Sequence, residues 1–237
     1  MLRSLHRWLR IMLGAACTIC GRPGSAEEAC PACRLNLGTT TWGVSPLTLG
    51  GARVPVLWRE LYGGPLTATI HRSKFAGDWG GARFLGRCLG ELPKPWLGAA
   101  PLVIPIPLTT RRLGDRGFNQ SLMIARQAAQ AWGARVGARG LIKPKTTMRQ
   151  ASLNRDERQV NLQGSFLAAP WCQDQRIVLI DDIMTSGATL REAAHAVQRA
   201  GGHVIGAAVV ARVPTQSGRL RPSRKSTDDV QCGSGSP

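Results

Sequence analysis

Acidic residues are scarce in this chain. Its 237 residues carry 14 Asp and Glu against 31 Lys and Arg, a formal charge of +17. Such a surface does not suit a partner of the same sign. It suits polyanions: nucleic acid, a phosphorylated ligand, or both. A basic surface without a partner gives the same count, and there is no long block of consecutive Lys or Arg, so charge alone does not identify DNA binding. Aromatics are also few, with Phe 4, Trp 7 and Tyr 1. That leaves few platforms on which unpaired bases can stack. No apolar run approaches the roughly 18 residues of a membrane span. What is present is a hydrophobic content of 43%, that of a globular protein, in a length that suits one core and a small appendage.

The most informative stretch is Ile177 to Thr189, IVLIDDIMTSGAT. Ile177 to Ile180 reads as a strand covered on both faces, because such strands are continuously apolar. Asp181 and Asp182 follow, then Thr185, Ser186, Gly187, Ala188 and Thr189. A helix is expected next, with Leu190, Ala193, Ala194, Val197 and Ala200 on one face. It stops at Gly201-Gly202, and His203 to Val210 reads as another strand. Open α/β sheets bind ligands at the carboxyl ends of their strands. Thr185 to Thr189 can wrap an anion with backbone N–H groups and hydroxyls at the positive end of the helix. The aspartates would repel a phosphate; they suit neutral hydroxyls, with or without a metal nearby. Hydroxyls beside a phosphate describe a ribose 5-phosphate. The plainer alternative is a strand end whose Asp and Ser only cap a helix.

Cys17-Thr-Ile-Cys20 and Cys30-Pro-Ala-Cys33, nine residues apart, have the spacing of two zinc knuckles. With four thiolates no position is left for water, so the metal is expected to be structural. A pair of disulfides, disfavoured in the cytoplasm, where the chain is placed, or thiols left from a lost site are the alternatives. Residues 1–16 mimic a secretion signal, but Arg7 and Arg10 interrupt the apolar patch. They are expected instead to form an amphipathic helix, with Leu2, Leu5, Trp8, Leu9 and Met12 on one face. Residues 34–58 read as a linker with short strands near Thr39 to Val44 and Val54 to Leu57, followed by two helices before Pro93.

Leu102 to Ile106 is expected to be a core strand, kept short by Pro105 and Pro107. The loop after it carries Arg111, Arg112 and Arg116, whose guanidinium forks match paired phosphate oxygens. Arg135 to Ile142 reads as a strand weakened by Gly137 and Gly140, and Phe166-Leu167 as the start of another. Residues 143–164 are polar and long, as lids are, and their Lys143, Lys145, Arg149, Arg155 and Arg158 can close over an anion. Past Val213 the composition turns polar with no apolar face, and disorder is expected.

The thirteen residues from Ile177 resemble the phosphoribosyl-pyrophosphate signature of the type I phosphoribosyltransferases. Further motifs narrow the resemblance: the four cysteines, Tyr62-Gly-Gly-Pro-Leu66 leading to Lys74-Phe75, Arg112-Leu-Gly-Asp-Arg-Gly-Phe-Asn-Gln120, and Gln150, Leu153, Arg158, Asn161 and Phe166. In that order they are similar to the ComF family of competence proteins, over about Cys17 to Arg212; the family's usual Thr-Thr-Gly reads Thr185-Ser186-Gly187 here. The resemblance implies a twisted, mainly parallel sheet flanked by helices, with a small zinc-ribbon part. It assigns Asp181 and Asp182 to the ribose hydroxyls and Thr185 to Thr189 to the 5-phosphate. Arg111, Arg112 and Arg116 would face the pyrophosphate, with Arg158 on the lid. The expected divisions are 1–16, 17–58, 59–213 and a tail at 214–237.

Three roles follow. One is a transferase using phosphoribosyl pyrophosphate and magnesium, with an acceptor that the sequence does not identify and no evident general base. The second is an accessory that binds single-stranded DNA or a helicase through a vestigial nucleotide site. The third is a sensor of phosphoribosyl pyrophosphate without turnover.

Overall fold

The computed structural model describes residues 16–23, 28–49, 51–75, 77–94, 96, 101–144 and 164–214. The amphipathic helix expected over 1–16, most of the lid including Arg158, and the tail lie outside these residues. After the first cysteines the described chain runs α1 (Pro31–Gly38), β1 (Gly43–Leu49), β2 (Ala52–Leu61), α2 (Thr67–Phe75), α3 (Trp79–Gly90) and β3 (Leu102–Pro105). It continues through α4 (Thr110–Arg116), α5 (Gln120–Trp132), β4 (Arg135–Val136), β5 (Leu141–Ile142) and β6 (Leu167–Ala168). It ends with β7 (Arg176–Met184), α6 (Ala188–Arg199) and β8 (His203–Arg212).

Six strands form one sheet in the order β1-β2-β8-β7-β3-β4. Every neighbouring pair from β2 to β4 is parallel, while β1 pairs antiparallel with β2. The sheet is therefore mixed rather than wholly parallel, and it is flanked by helices. Residues 34–58, expected as a linker with short strands near Thr39 to Val44 and Val54 to Leu57, instead supply most of α1, all of β1 and most of β2; the second expected strand lies within β2, whose Val56 to Trp58 are buried between the two faces. Alternation with Pro46, Pro55 and polar residues masked this stretch in the sequence.

One face of the sheet packs Val103, Val178, Ile180, Ala208 and Val210 against α3 and α5. Gly86 and Gly90 let these helices approach: a Cβ on Gly86 would meet the Ile124 carbonyl oxygen at 2.5 Å and one on Gly90 the Ala131 Cβ at 2.8 Å. The other face packs Ile104, Ile177, Leu179 and Val209 against Leu190, Ala193, Ala194 and Val197 of α6. Four of the five residues expected on the apolar face of α6 are buried; Ala200 is its C-cap.

Two differences from the sequence pattern bear on the site. β7 runs through Asp181 and Asp182 to Met184, still paired with β8, so the carboxylates sit on the strand and not after it. The single strand expected over 135–142 is two. β4 joins the main sheet and β5 pairs antiparallel with β6, because Gly137 and Gly140 turn the chain between them, Gly140 N–H donating to Gly137 at 3.0 Å. Among the described residues no helix is long and apolar enough to cross a membrane.

Candidate functional site

The carboxyl ends of β3 and β7 open into a cleft of about 160 Å³. Its walls include Lys74, Arg112, Arg116, Ser121, Asp181, Asp182 and Thr189. Five elements, α2, α4, α5, β7 and α6, deliver them. β3 ends at Pro105 because Pro gives no N–H to continue a ladder; Ile106 then donates to Ile180 at 2.8 Å, which aims the following loop across the end of β7. Thr109 caps α4, its hydroxyl accepting from Arg112 N–H at 3.3 Å. The three arginines thus stand on a short helix rather than on a loop. Arg112 and Arg116 line the cleft; Arg111 is exposed and does not. Arg116 is held by Gln120 at 3.1 Å and lies 5.8 Å over the Phe75 ring.

The two carboxylates have different surroundings. Asp182 is 9% exposed and pairs with Lys74, Nζ to Oδ2 3.0 Å. Asp181 is partly buried at the cleft wall; its Oδ1 accepts from the Ser121 hydroxyl at 3.0 Å and from Asp182 N–H at 2.9 Å. Burial, and then the neighbouring Asp182, push the Asp181 carboxyl up to about 7, against the opposing pull of its hydrogen bonds and Lys74. A carboxyl titrating near neutral pH can take up a proton, a property that no sequence motif marked. Facing it, Lys143 lies 5.0 Å over the Phe166 ring, and burial and then Arg112 push its ammonium below the ordinary lysine range.

Beyond β7, Gly187 opens α6 with φ +77°. This is the left-handed conformation that glycine adopts without strain. A Cβ there would also stand 2.8 Å from Leu47 Cδ1. Gly187, the N-cap residue, has no side chain to cap α6, and the Ser186 hydroxyl accepts from Ala188 N–H at 3.4 Å. Backbone donors and a hydroxyl thus gather at the start of the helix, the arrangement that holds an anion at a helix N-terminus. Thr185 and Ser186 are exposed beside them, and Thr189 reaches the cleft.

A second constellation lies at the start of the described chain. The sulfur atoms of Cys17, Cys20, Cys30 and Cys33 all lie within 4.8 Å of one another, Cys20 and Cys30 at 3.9 Å. Four thiolates about 2.3 Å from a tetrahedral zinc would be about 3.8 Å apart. The donor set therefore fits a structural zinc ion and leaves no open position. Cys20 and Cys30 also donate backbone N–H groups to Cys17 Sγ at 3.5 and 3.3 Å. Burial pushes the Cys17 thiol up, but these bonds outweigh it and bring it to about 6, while burial and the neighbouring cysteines push the Cys33 thiol up to about 12, so without a metal the four sulfurs do not share the thiolate form equally. Cys88 and Cys172 are buried and stand apart, as expected.

With both constellations described, comparison with known proteins is informative. The family model described as the phosphoribosyl transferase domain matches residues 124–234, which take in β7, α6 and β8. The chain is a phosphoribosyltransferase-domain protein related to the competence-associated ComF, ComFC and YhgH proteins. It is 28% identical to DNA utilization protein YhgH of Escherichia coli O6:H1 over 197 residues, 78% of this chain and 85% of the relative. Competence protein ComFC of Bacillus subtilis is 26% identical over 200 residues, 81% of this chain and 75% of that one. Among solved structures, glutamine phosphoribosylpyrophosphate amidotransferase from B. subtilis, complexed with ADP and GMP, aligns at 21% identity with a TM-score of 0.38, over 54% of this chain and 25% of its own.

Lys74 and Ser121 are the site residues that sequence reasoning missed. Lys74 appeared only beside Phe75 in a segment that carries the family resemblance, with no role attached to it, and Ser121 carried no signal apart from its place after the Arg116 to Gln120 segment.

Proposed function

We propose that the cleft binds phosphoribosyl pyrophosphate together with magnesium, and that the protein serves the uptake or use of DNA that its relatives' names describe. The observation that carries this reading is the meeting of a carboxylate pair, a helix N-terminus that starts at a glycine, and two arginines around one cleft. The 5-phosphate would lie on Thr185 to Thr189, against the backbone donors of the first turn of α6. Asp181 and Asp182 would accept from the ribose hydroxyls, Ser121 keeping Asp181 in place. Arg112 and Arg116, with Arg111 exposed on the same helix, would draw the pyrophosphate to the other side of the cleft. Arg158 is assigned to the lid by the length and polarity of residues 143–164 and by the resemblance, and lies outside the described residues.

Asp181 and Asp182 are hard oxygen donors of the kind magnesium takes, and magnesium bound with the ligand would neutralise pyrophosphate charge. The chain's own contribution is positioning and charge complementarity. In a transfer, the bond from the ribose carbon to pyrophosphate breaks as the acceptor bonds to that carbon. Asp181 is placed to accept a proton. Replacing Asp181 and Asp182 together by alanine should weaken phosphoribosyl pyrophosphate binding by about 100-fold or more in calorimetry. Unchanged affinity would remove the assignment.

A second reading has a specific observation behind it. Tyr62, His71 and Phe75 form an exposed ladder with ring centroids 6.1 and 6.3 Å apart, and Phe75 is 77% exposed beside Arg116. Exposed rings among cations suit single-stranded DNA better than the aromatic count suggested. Binding to an oligonucleotide should then fall steeply with salt and weaken in Phe75→Ala. A flat salt dependence would count against it.

A further inference from the structure

α2 touches both constellations. Near its middle, the Thr69 hydroxyl donates to the Thr18 carbonyl at 2.8 Å. The Arg72 guanidinium donates to the same carbonyl and to that of Ile19 at 3.1 Å. Both carbonyls lie inside the first Cys-x-x-Cys turn. At the other end of α2, Lys74 holds Asp182 in the cleft at 3.0 Å.

α2 is short and weakly amphipathic. It has nine residues, of which Thr69, Ile70 and Ser73 are buried. A helix of this length is marginal alone and takes its position from tertiary anchors. Leu66 and Ile70 provide the apolar anchor. The polar anchor is Arg72, which reaches the knuckle carbonyls and also lies 3.7 Å from Asp78, the residue that caps α3. The carbonyls can hold Arg72 only while their turn keeps its shape. That turn is short, with Cys17 and Ile19 as its buried residues, and its shape is set by the four sulfurs.

We infer that Lys74 is a positioning residue for the Asp181–Asp182 pair, and that the four-cysteine knuckle holds it there through Arg72 and Thr69. Lys74 offsets the charge of Asp182 and fixes the orientation of its side chain. Asp182 in turn presents its backbone N–H to Asp181. An anionic ligand then meets a carboxylate pair already partly neutralised. Loss of the knuckle metal would reach the cleft without touching a cleft residue. The consequence for ligand binding rests on the phosphoribosyl pyrophosphate reading; the relay itself does not.

The relay is tested by lysine footprinting of the full chain, with limiting formaldehyde and borane and detection by mass spectrometry. Lys94, whose ammonium donates to the Trp132 carbonyl at 3.2 Å, is the internal control. Methylation of Lys74 relative to Lys94 should rise about five-fold when the metal is chelated, and about three-fold in metal-loaded Arg72→Met, which leaves the cysteines intact. An unchanged ratio in Arg72→Met that retains its metal overturns the relay, as does a rise shared equally by Lys94. In calorimetry with phosphoribosyl pyrophosphate, Arg72→Met should weaken binding, and adding it to Lys74→Met should weaken binding no further. If the wild type shows no binding, the phosphoribosyl reading fails and the footprint alone decides the relay.

Discussion

Cys17, Cys20, Cys30 and Cys33 lie in one short stretch of chain, whereas Lys74, Arg112, Ser121, Asp181 and Thr189 come from five separate elements or loops before they share one cleft. The knuckle borrows stability. It buries little beyond Cys17, Ile19 and Ala29, and a small loop with so few apolar contacts needs a staple. The cleft sits at the end of β3 and β7, whose Val103, Ile104 and Ile177 to Ile180 are fully buried. Its side chains are held by the buried strands behind them. One region thus offers four sulfur ligands that could hold a structural zinc ion; the other depends on the sheet for its shape and on charge for its chemistry.

The largest effect should come from breaking the knuckle. Cys30→Ser with Cys33→Ser should take bound zinc from one equivalent to none and destabilise the protein by at least about 3 kcal/mol, since structural zinc sites bind more strongly than this. Full retention of stability by the metal-free variant would place the knuckle on the same footing as the cleft. Next in size is Gly187→Val. Its φ of +77° and the approach of Leu47 should make the branched residue cost roughly 2–3 kcal/mol in chemical denaturation. The distorted turn should also lose affinity for a phosphorylated ligand. Wild-type behaviour would mean that the loop does not need its left-handed residue.

The last effect is one of pH. The Asp181 carboxyl is pushed up to about 7 in the folded chain, above the roughly 4 of an unfolded aspartate. Between those values the folded state holds the extra proton, so this group lowers stability as pH rises from about 4 to about 7 and adds no further change above that. Asp181→Asn should therefore gain stability over wild type at pH 8 and match it near pH 4, while losing ligand affinity. Parallel denaturation midpoints at the two pH values would show that Asp181 is not desolvated.

The knuckle could be read from sequence because its ligands are local pairs with a fixed spacing. Ile177 to Thr189 was legible for the same reason: strand, carboxylates and turn follow one another. Lys74 was not, since its role depends on how α2 leans over β7, which no periodicity encodes. Hydropathy marked the apolar part of β7 but not its end, because Asp181 and Asp182 interrupt the apolar run while they keep the strand's pairing. Gly137 and Gly140 read as weaknesses in one strand, whereas in the fold they divide two strands and pack on Ile104 and Trp171.

Hydrogen exchange of the full, metal-loaded chain with and without phosphoribosyl pyrophosphate and magnesium tests the central claim most directly. Slower exchange confined to the amides of 185–190 and to α4 is the predicted result, because those donors and arginines would hold the two ends of the ligand. Protection elsewhere, or none at saturating ligand, would contradict the assignment of this cleft.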